Sequence, residues 1–171
     1  MANLCAGARP RQTEEQHGFL NRGIMEIQIN YQQEIPELIK QKIKRKLERV
    51  LKDLVCPEKE LSLLFTDDKR IADLNNRYLG RKGPTNVLAF PMKEGPTSEF
   101  KLPMLGDVVI SVGAALRESE EFGEDLEHTI DRLLIHGLLH LLGYDHEKSD
   151  SEAEGMENEE KRLISVIRDL R

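Results

Sequence analysis

The chain has 171 residues and a formal net charge of −6, with 33% charged, 39% hydrophobic and 5% aromatic residues. This length fits one domain with an aliphatic core, and no apolar run reaches the roughly 18 residues that a membrane-spanning helix needs. The acidic balance argues against a general nucleic-acid coat protein. Residues 1–93 nevertheless contain 17 Lys and Arg against 12 Asp and Glu, so this half can supply a basic face.

The first 24 residues are polar and lack the apolar segment of a secretory signal. We interpret residues 1–24 as a disordered leader and expect residues 25–171 to form a single domain. Met25 is a candidate translation start, which intact-mass analysis of the native protein would test. We predict a cytoplasmic protein.

The first predicted elements are a strand and a basic helix. Residues 26–31 alternate between apolar and polar, which is typical of a half-buried strand. Pro36 opens a helix that runs to about Leu54, with one apolar stripe. Its other faces carry seven basic residues, namely Lys40, Lys42, Lys44, Arg45, Lys46, Arg49 and Lys52. Two interpretations stay open here: a phosphate-facing surface, or the solvated side of an amphipathic helix.

Three further strands are predicted. Residues 60–65 form the second, and residues 86–90 form a short third strand that Pro91 closes. Residues 93–103 contain two prolines and a glycine, which indicates a loop or a hairpin arm. Residues 106–111 are nearly all apolar, as expected of a strand in the middle of a sheet.

Four further helices are predicted. Asp67 or Asp68 caps the second helix, which ends at Gly80 and buries Ile71, Leu74 and Tyr78. The last three cover about residues 112–121, residues 125–142, and a segment from Ser149–Ser151 to about Leu170. The order β-α-β-α-β-β-α-α-α predicts an α+β domain in which helices pack over a mixed sheet.

Three of the five histidines lie within the eleven residues 136–146. Residues four apart on a helix share a face, so His136 and His140 point the same way. Gly143 can adopt the left-handed conformation that ends a helix, and that turn would return His146 towards the other two. Three neutral imidazoles with an open fourth position are typical of catalytic zinc, here one ion per chain. The glycine and the third histidine disfavour the alternative of ordinary core histidines.

A zinc site of this kind favours a hydrolase, because a zinc ion that is held by three histidines lowers the pKa of its bound water to about 7. The spacing equals that of the metzincin proteases, H-E-x-x-H-x-x-G-x-x-H. Gly137 stands where those proteases place the glutamate that acts as general base, which contributes about 10²–10⁴-fold. A phosphodiester is therefore the favoured substrate, since a metal can bind a phosphoryl oxygen and arginines can stabilise the added charge.

Several other side chains are candidates for this chemistry. Arg77, Arg81 and Lys82 precede the third strand and can supply positive charge. Asp145 either orients a ligand histidine or a water, or is an ordinary turn residue. We interpret the acidic residues that follow as solvated helix surface, namely Glu152, Glu154, Glu157, Glu159 and Glu160.

Four segments share one family's motifs in order and spacing: Leu74-Asn75, PTNVLAFP at 84–91, GDVVIS at 106–111 and HGLLHLLGYDH at 136–146. Together they resemble the YbeY family of bacterial metal-dependent endoribonucleases, from about Met25 to the C-terminus. The resemblance implies one α+β domain, in which a mixed sheet of about four strands packs with about five helices. It places a zinc site on a late helix and the following turn, with His136, His140 and His146 as ligands.

The resemblance also implies a substrate and a biological context. The substrate is single-stranded RNA, and the context is maturation of ribosomal RNA, including the 3′ end of the small-subunit RNA, and ribosome quality control. Small-subunit precursors are the implied partners. The family commonly carries an arginine where this chain has Leu79, and Arg77 and Arg81 flank that position.

Two alternatives to an endoribonuclease stay open. A metallopeptidase of metzincin-like geometry would need a substitute for the missing base. A non-catalytic, zinc-containing module that associates with the ribosome would be favoured if a fourth protein ligand, such as Asp145, closed the metal site.

Overall fold

The computed structural model describes residues 26–54, 56, 59–92 and 104–170. The elements are β1 (Ile27–Tyr31), α1 (Glu37–Asp53), β2 (Glu60–Thr66), α2 (Asp68–Leu79), β3 (Val87–Pro91), β4 (Met104–Ser111), α3 (Val112–Phe122), α4 (Leu126–Leu141) and α5 (Asp150–Val166), followed by a short 3₁₀ helix (Arg168–Leu170). The predicted order and the α+β class are therefore confirmed. The leader, the start at Met25 and the loop or hairpin arm at 93–103 lie outside the described residues.

None of the helices in the described ranges is long and apolar enough to cross a membrane.

The four strands form one mixed sheet in the order β1-β2-β4-β3. β1 and β4 both run parallel to β2, and β3 pairs antiparallel with β4. The apolar strand β4 therefore lies inside the sheet, as predicted, and β3 lies at an edge. Pro91 pairs with Gly106 and is the last residue of β3, so the proline belongs to the strand that it ends.

The two faces of the sheet bury different residues. On one face, alternate residues of β4 such as Val108 and Ile110 join a large core that contains side chains of α1, α4 and α5. On the other face, Val109 packs with Leu88 and with Ile71 of α2 in a small cluster. This alternation follows from the two-residue period of a strand. It sets α4 against β3 and β4, where the histidines lie.

Helix α1 has the predicted apolar stripe, all of it buried: Ile39, Ile43, Leu47, Leu51 and Leu54. The basic side chains of α1 differ in their burial and ion pairing, which the sequence does not indicate. Lys46 is buried and its ammonium lies 2.8 Å from an oxygen of Asp131 and 2.6 Å from one of Glu127, both on α4. Lys42 also pairs with Glu127 at 3.0 Å. These two lysines bind α1 to α4 rather than facing outward.

The prediction for α2 is confirmed in part. Asp67 caps the helix by accepting a hydrogen bond from the Arg70 amide, and Gly80 ends it. Ile71 is fully buried, but the prediction that Tyr78 is buried is wrong, because this residue is 61% exposed. The last turn of α2 lies by β3, which is an edge strand of the sheet that the described residues form.

Candidate metal centre

Helix α4 and the turn after it bring the three histidines together. The helix ends at Leu141, and Gly143 has a left-handed φ of +94°. The amides of Gly143 and Tyr144 donate to the carbonyls of His140 and Leu139, so the chain folds back over the helix end. The prediction that Gly143 ends the helix and returns His146 is confirmed.

The three imidazoles form a compact cluster. Their ring centroids lie 4.7 to 5.3 Å apart. One nitrogen from each of His136, His140 and His146 lies within 4.8 Å of the others. In the described residues, this is the group of His, Cys, Asp and Glu side chains that can hold a metal ion.

The hydrogen bonds of two imidazoles fix which nitrogen carries the proton. Nδ1 of His140 lies 2.9 Å from the carbonyl oxygen of Tyr144, and Nδ1 of His136 lies 2.6 Å from a carboxylate oxygen of Glu160. Both oxygens only accept, so both Nδ1 atoms donate. In the neutral form of each ring, Nε2 is then left with a lone pair.

The two Nε2 atoms are the clearest sign of a cation site. They lie only 3.1 Å apart, and two lone pairs at that distance repel each other unless a proton or a metal ion lies between them. Burial and the neighbouring imidazole of His136 lower the pKa of His140, which favours its neutral, metal-binding form. Tetrahedral ligands at about 2.1 Å from zinc are roughly 3.4 Å apart, close to this separation. The donor set therefore fits a zinc ion.

Gly137 has a packing role that the sequence does not reveal. A Cβ atom at this position would lie 2.7 Å from Cγ1 of Val108 and 3.2 Å from Cγ2 of Val87. Such contacts are too short, so the glycine allows α4 to approach β3 and β4 closely. The position of the protease glutamate is thus occupied by the sheet, which disfavours the metallopeptidase alternative.

The histidines open into a cavity of about 740 Å³ between α4, the end of α2 and the edge strand β3. Arg81 lies on its wall, where its guanidinium is 3.2 Å from Glu147, a residue of the turn after α4. Leu79 lines the same cavity. Arg77 lies in a separate depression along α2, and Lys82 is exposed in the loop before β3. Of the two arginines that flank Leu79, the structure places Arg81 with the histidines.

Asp145 lies on the cavity wall, but its side chain serves the turn. Its Oδ1 accepts a hydrogen bond from the Glu147 amide at 3.0 Å, and its Oδ2 lies 3.8 Å from the Lys148 ammonium. It therefore shapes the segment that carries His146. Among the described residues, the cluster that could hold a metal ion consists of the three histidines and does not include Asp145.

Glu160 is the site residue that sequence reasoning missed. The interpretation of the acidic residues of α5 as solvated surface is wrong for this side chain, which is 21% exposed and hydrogen-bonded to His136. Glu159 next to it pairs with Arg162 at 2.7 Å. Nothing in the spacing distinguishes Glu160 from its neighbours, because its role depends on how α5 packs against α4.

Comparisons with known proteins identify one family that this chain resembles over most of its length. The family model described as endoribonuclease YbeY matches residues 26–168. The endoribonuclease YbeY of Syntrophus aciditrophicus is 42% identical over 84% of this chain and 90% of the relative. That of Syntrophotalea carbinolica is 40% identical over 84% and 96%. The solution structure of TM1509 from Thermotoga maritima matches with a TM-score of 0.60 and 26% identity, over 84% of this chain and 90% of the other.

Proposed function

This chain belongs to the endoribonuclease YbeY family, and on that premise we propose that it is a zinc-dependent endoribonuclease that cleaves single-stranded RNA. The observation that carries the zinc is the pair of Nε2 atoms 3.1 Å apart, each opposite a donating Nδ1. His136, His140 and His146 are the proposed ligands. A zinc ion held there supplies a Lewis acid and lowers the pKa of a water to about 7.

The residues around the ligands have separate tasks in this proposal. Glu160 and the Tyr144 carbonyl hold two imidazoles in the tautomer that leaves Nε2 free. Arg81 stabilises negative charge on the phosphodiester, because its guanidinium already lies on the cavity wall and is 62% exposed. It takes the place of the arginine that the family commonly carries at Leu79. Asp145 holds the turn that carries His146.

The family also suggests a biological role for this enzyme. We propose that the substrate is ribosomal RNA, that the enzyme acts in small-subunit maturation, including the 3′ end, and that it serves ribosome quality control. The small subunit is the proposed partner and the cytoplasm the proposed compartment. We propose that residues 25–171 form the functional domain and that residues 1–24 are a leader.

A cleavage assay with measured metal content tests the chemistry. The substrate is a single-stranded fragment of ribosomal RNA, incubated with metal-loaded wild type and with His140→Ala. His128→Ala is the matched control, because His128 lies on the same helix outside the cluster. We expect cleavage by wild type and His128→Ala, and the loss of both cleavage and bound metal in His140→Ala.

Three results would contradict the proposal. If wild type binds about one zinc but leaves RNA intact, the non-catalytic module gains support. If it cleaves an unstructured peptide and a chelator stops the reaction, the metallopeptidase gains support. If His140→Ala keeps full metal content and activity, the three histidines are not the site.

A further inference from the structure

Tyr78 is an exposed aromatic residue beside the metal cavity. It is 61% exposed, although the apolar pattern of α2 predicts that it is buried. It follows Asn75 by three positions, so the two side chains are neighbours on the helix surface. Asn75 lines the cavity, and so does Leu79, the residue that follows Tyr78. Tyr78 therefore belongs to the turn of α2 that contributes to the cavity wall, although its own ring is not part of the lining.

The ring of Tyr78 is held in place by one contact. Its centroid lies 5.3 Å from that of Phe90 on β3, with an interplanar angle of 64°. An edge-to-face contact of this kind orients a ring without covering both of its faces. On either side of Phe90 along the strand, Ala89 and Pro91 line the cavity. Because side chains alternate along a strand, Phe90 points to the face that packs with Leu88 and Val109, so the Tyr78–Phe90 pair lies at the edge of the sheet beside the cavity and outside its lining.

The surroundings of Tyr78 are basic. Arg77, Arg81 and Lys82 belong to the same six-residue segment, 77–82, and are all exposed. Phe122 is also 61% exposed, but it lies in a separate depression that contains none of the three histidines, and the Arg132 guanidinium lies 5.9 Å from its ring centroid. An aromatic ring among cations is the arrangement by which proteins hold single-stranded nucleic acid: cations follow the backbone and a base stacks on the ring.

We propose that Tyr78 is the stacking platform for one nucleobase of single-stranded RNA, next to the nucleotide whose phosphate enters the histidine cavity. This inference rests on the proposed function and adds a base subsite to it. The subsite is tolerant of sequence, because each base has a π face that can stack. It explains why a large aromatic side chain is exposed at this point of α2.

Equilibrium binding of fluorescein-labelled single-stranded RNA, followed by anisotropy in the presence of a chelator, tests the proposal without turnover. We expect Tyr78→Ala to weaken binding about tenfold, which lies within the range that base–aromatic stacking contributes. Tyr78→Phe and Tyr78→Trp keep the ring and should bind as wild type does. Phe122→Ala is the matched control and should have no effect. Thermal melting checks that every variant folds.

A set of RNAs that each lack one base at a different position locates the contact. At one position the wild type should lose about tenfold in affinity, and Tyr78→Ala should lose nothing further there.

The salt dependence of binding separates stacking from charge. Tyr78→Ala should leave the slope of affinity against salt unchanged, whereas Arg81→Ala should reduce it by about one.

The outcomes separate this inference from the proposed function. If wild type binds and cleaves RNA but Tyr78→Ala binds as tightly, the base subsite is wrong and the proposed function stands. Equal losses for Tyr78→Ala and Phe122→Ala, or additive losses at every abasic position, also overturn the subsite. If wild type does not bind single-stranded RNA at all, the proposed function fails, and the subsite with it.

Discussion

Replacing Glu160 by alanine should weaken zinc binding much more than the same replacement of Glu157 on the same helix. The Glu160 carboxylate lies 2.6 Å from Nδ1 of His136, and the two side chains are 21% and 28% exposed. Glu157 is 62% exposed and pairs with Lys161 one helical turn away. The two glutamates thus share an element and a charge but differ in whether they touch the histidine cluster.

The expected magnitude follows from the hydrogen bond. Loss of a partner that orients a metal-ligating histidine costs about 10–100-fold in metal affinity. Both side chains keep some contact with solvent, so we expect the lower part of that range for Glu160→Ala, about 10–30-fold. Glu160→Gln keeps an oxygen that accepts from Nδ1 and removes the charge, so its loss should be smaller. Glu157→Ala should stay within about twofold of wild type, since exposed ion pairs contribute little.

Competition with a chromophoric chelator measures the zinc affinity of each variant. The ¹⁵N chemical shifts of His136 report its tautomer, which a merely structural effect on α5 would not change. We expect Glu160→Ala to lose the strict Nδ1–H form, and Glu160→Gln to retain it. The reasoning is refuted if Glu160→Ala binds zinc as wild type does, or if Glu157→Ala weakens zinc binding equally.

Three further predictions concern packing and pH. Lys46→Ala removes the buried ammonium that lies 2.8 Å from the carboxylate of Asp131, so urea unfolding should show a loss of about 3–5 kcal/mol, and a loss below about 1 kcal/mol would contradict this. Gly137→Ala places a methyl group 2.7 Å from Val108, so overpacking should cost about 1–3 kcal/mol in thermal melts, and an unchanged melting temperature would be the contrary result. Hydrogen bonds from the guanidinium of Arg117 and from a neighbouring hydroxyl lower the pKa of Asp68 below its ordinary value of 3.8; its stabilising contribution is therefore complete above that value and is lost as pH falls below it. Asp68→Asn should accordingly flatten the acid side of a stability-against-pH curve, and an unchanged curve would refute the assignment.

The parts of the fold that the sequence predicts well are those set by local periodicity. The stripe of α1 and the apolar run of β4 are confirmed, because each requires only that one face of an element be buried. The histidine cluster could also be predicted, since helical spacing and a glycine turn are local geometry. Each of these features depends on a short stretch of chain.

The features that could not be predicted depend on contacts between distant elements. Lys46 looks like any other cation of a basic helix until α4 brings Asp131 to it, 85 positions away. Glu160 differs from its acidic neighbours only because α5 packs against His136, 24 positions earlier. Tyr78 fits the apolar pattern of α2, but it lies beside the edge strand Val87–Pro91 of the described sheet and is 61% exposed. No pattern of hydrophobicity along one element contains this information.

Gly137 shows why ligand spacing alone does not determine the reaction. The histidines repeat the spacing of a protease motif, and that spacing fixes only that His136 and His140 share one face of α4. The residue after His136 lies about 100° further round the helix, since there are 3.6 residues per turn. Here that direction meets Val108 and Val87 of the sheet, so a side chain at position 137 would have to displace them or α4, although the glycine itself lines the cavity. In the described part of the chain, the carboxylates that line the cavity are Asp145 and Glu147. Among the described residues, the carboxylates placed to accept a proton in this cavity therefore belong to the turn after α4 and not to the helix itself.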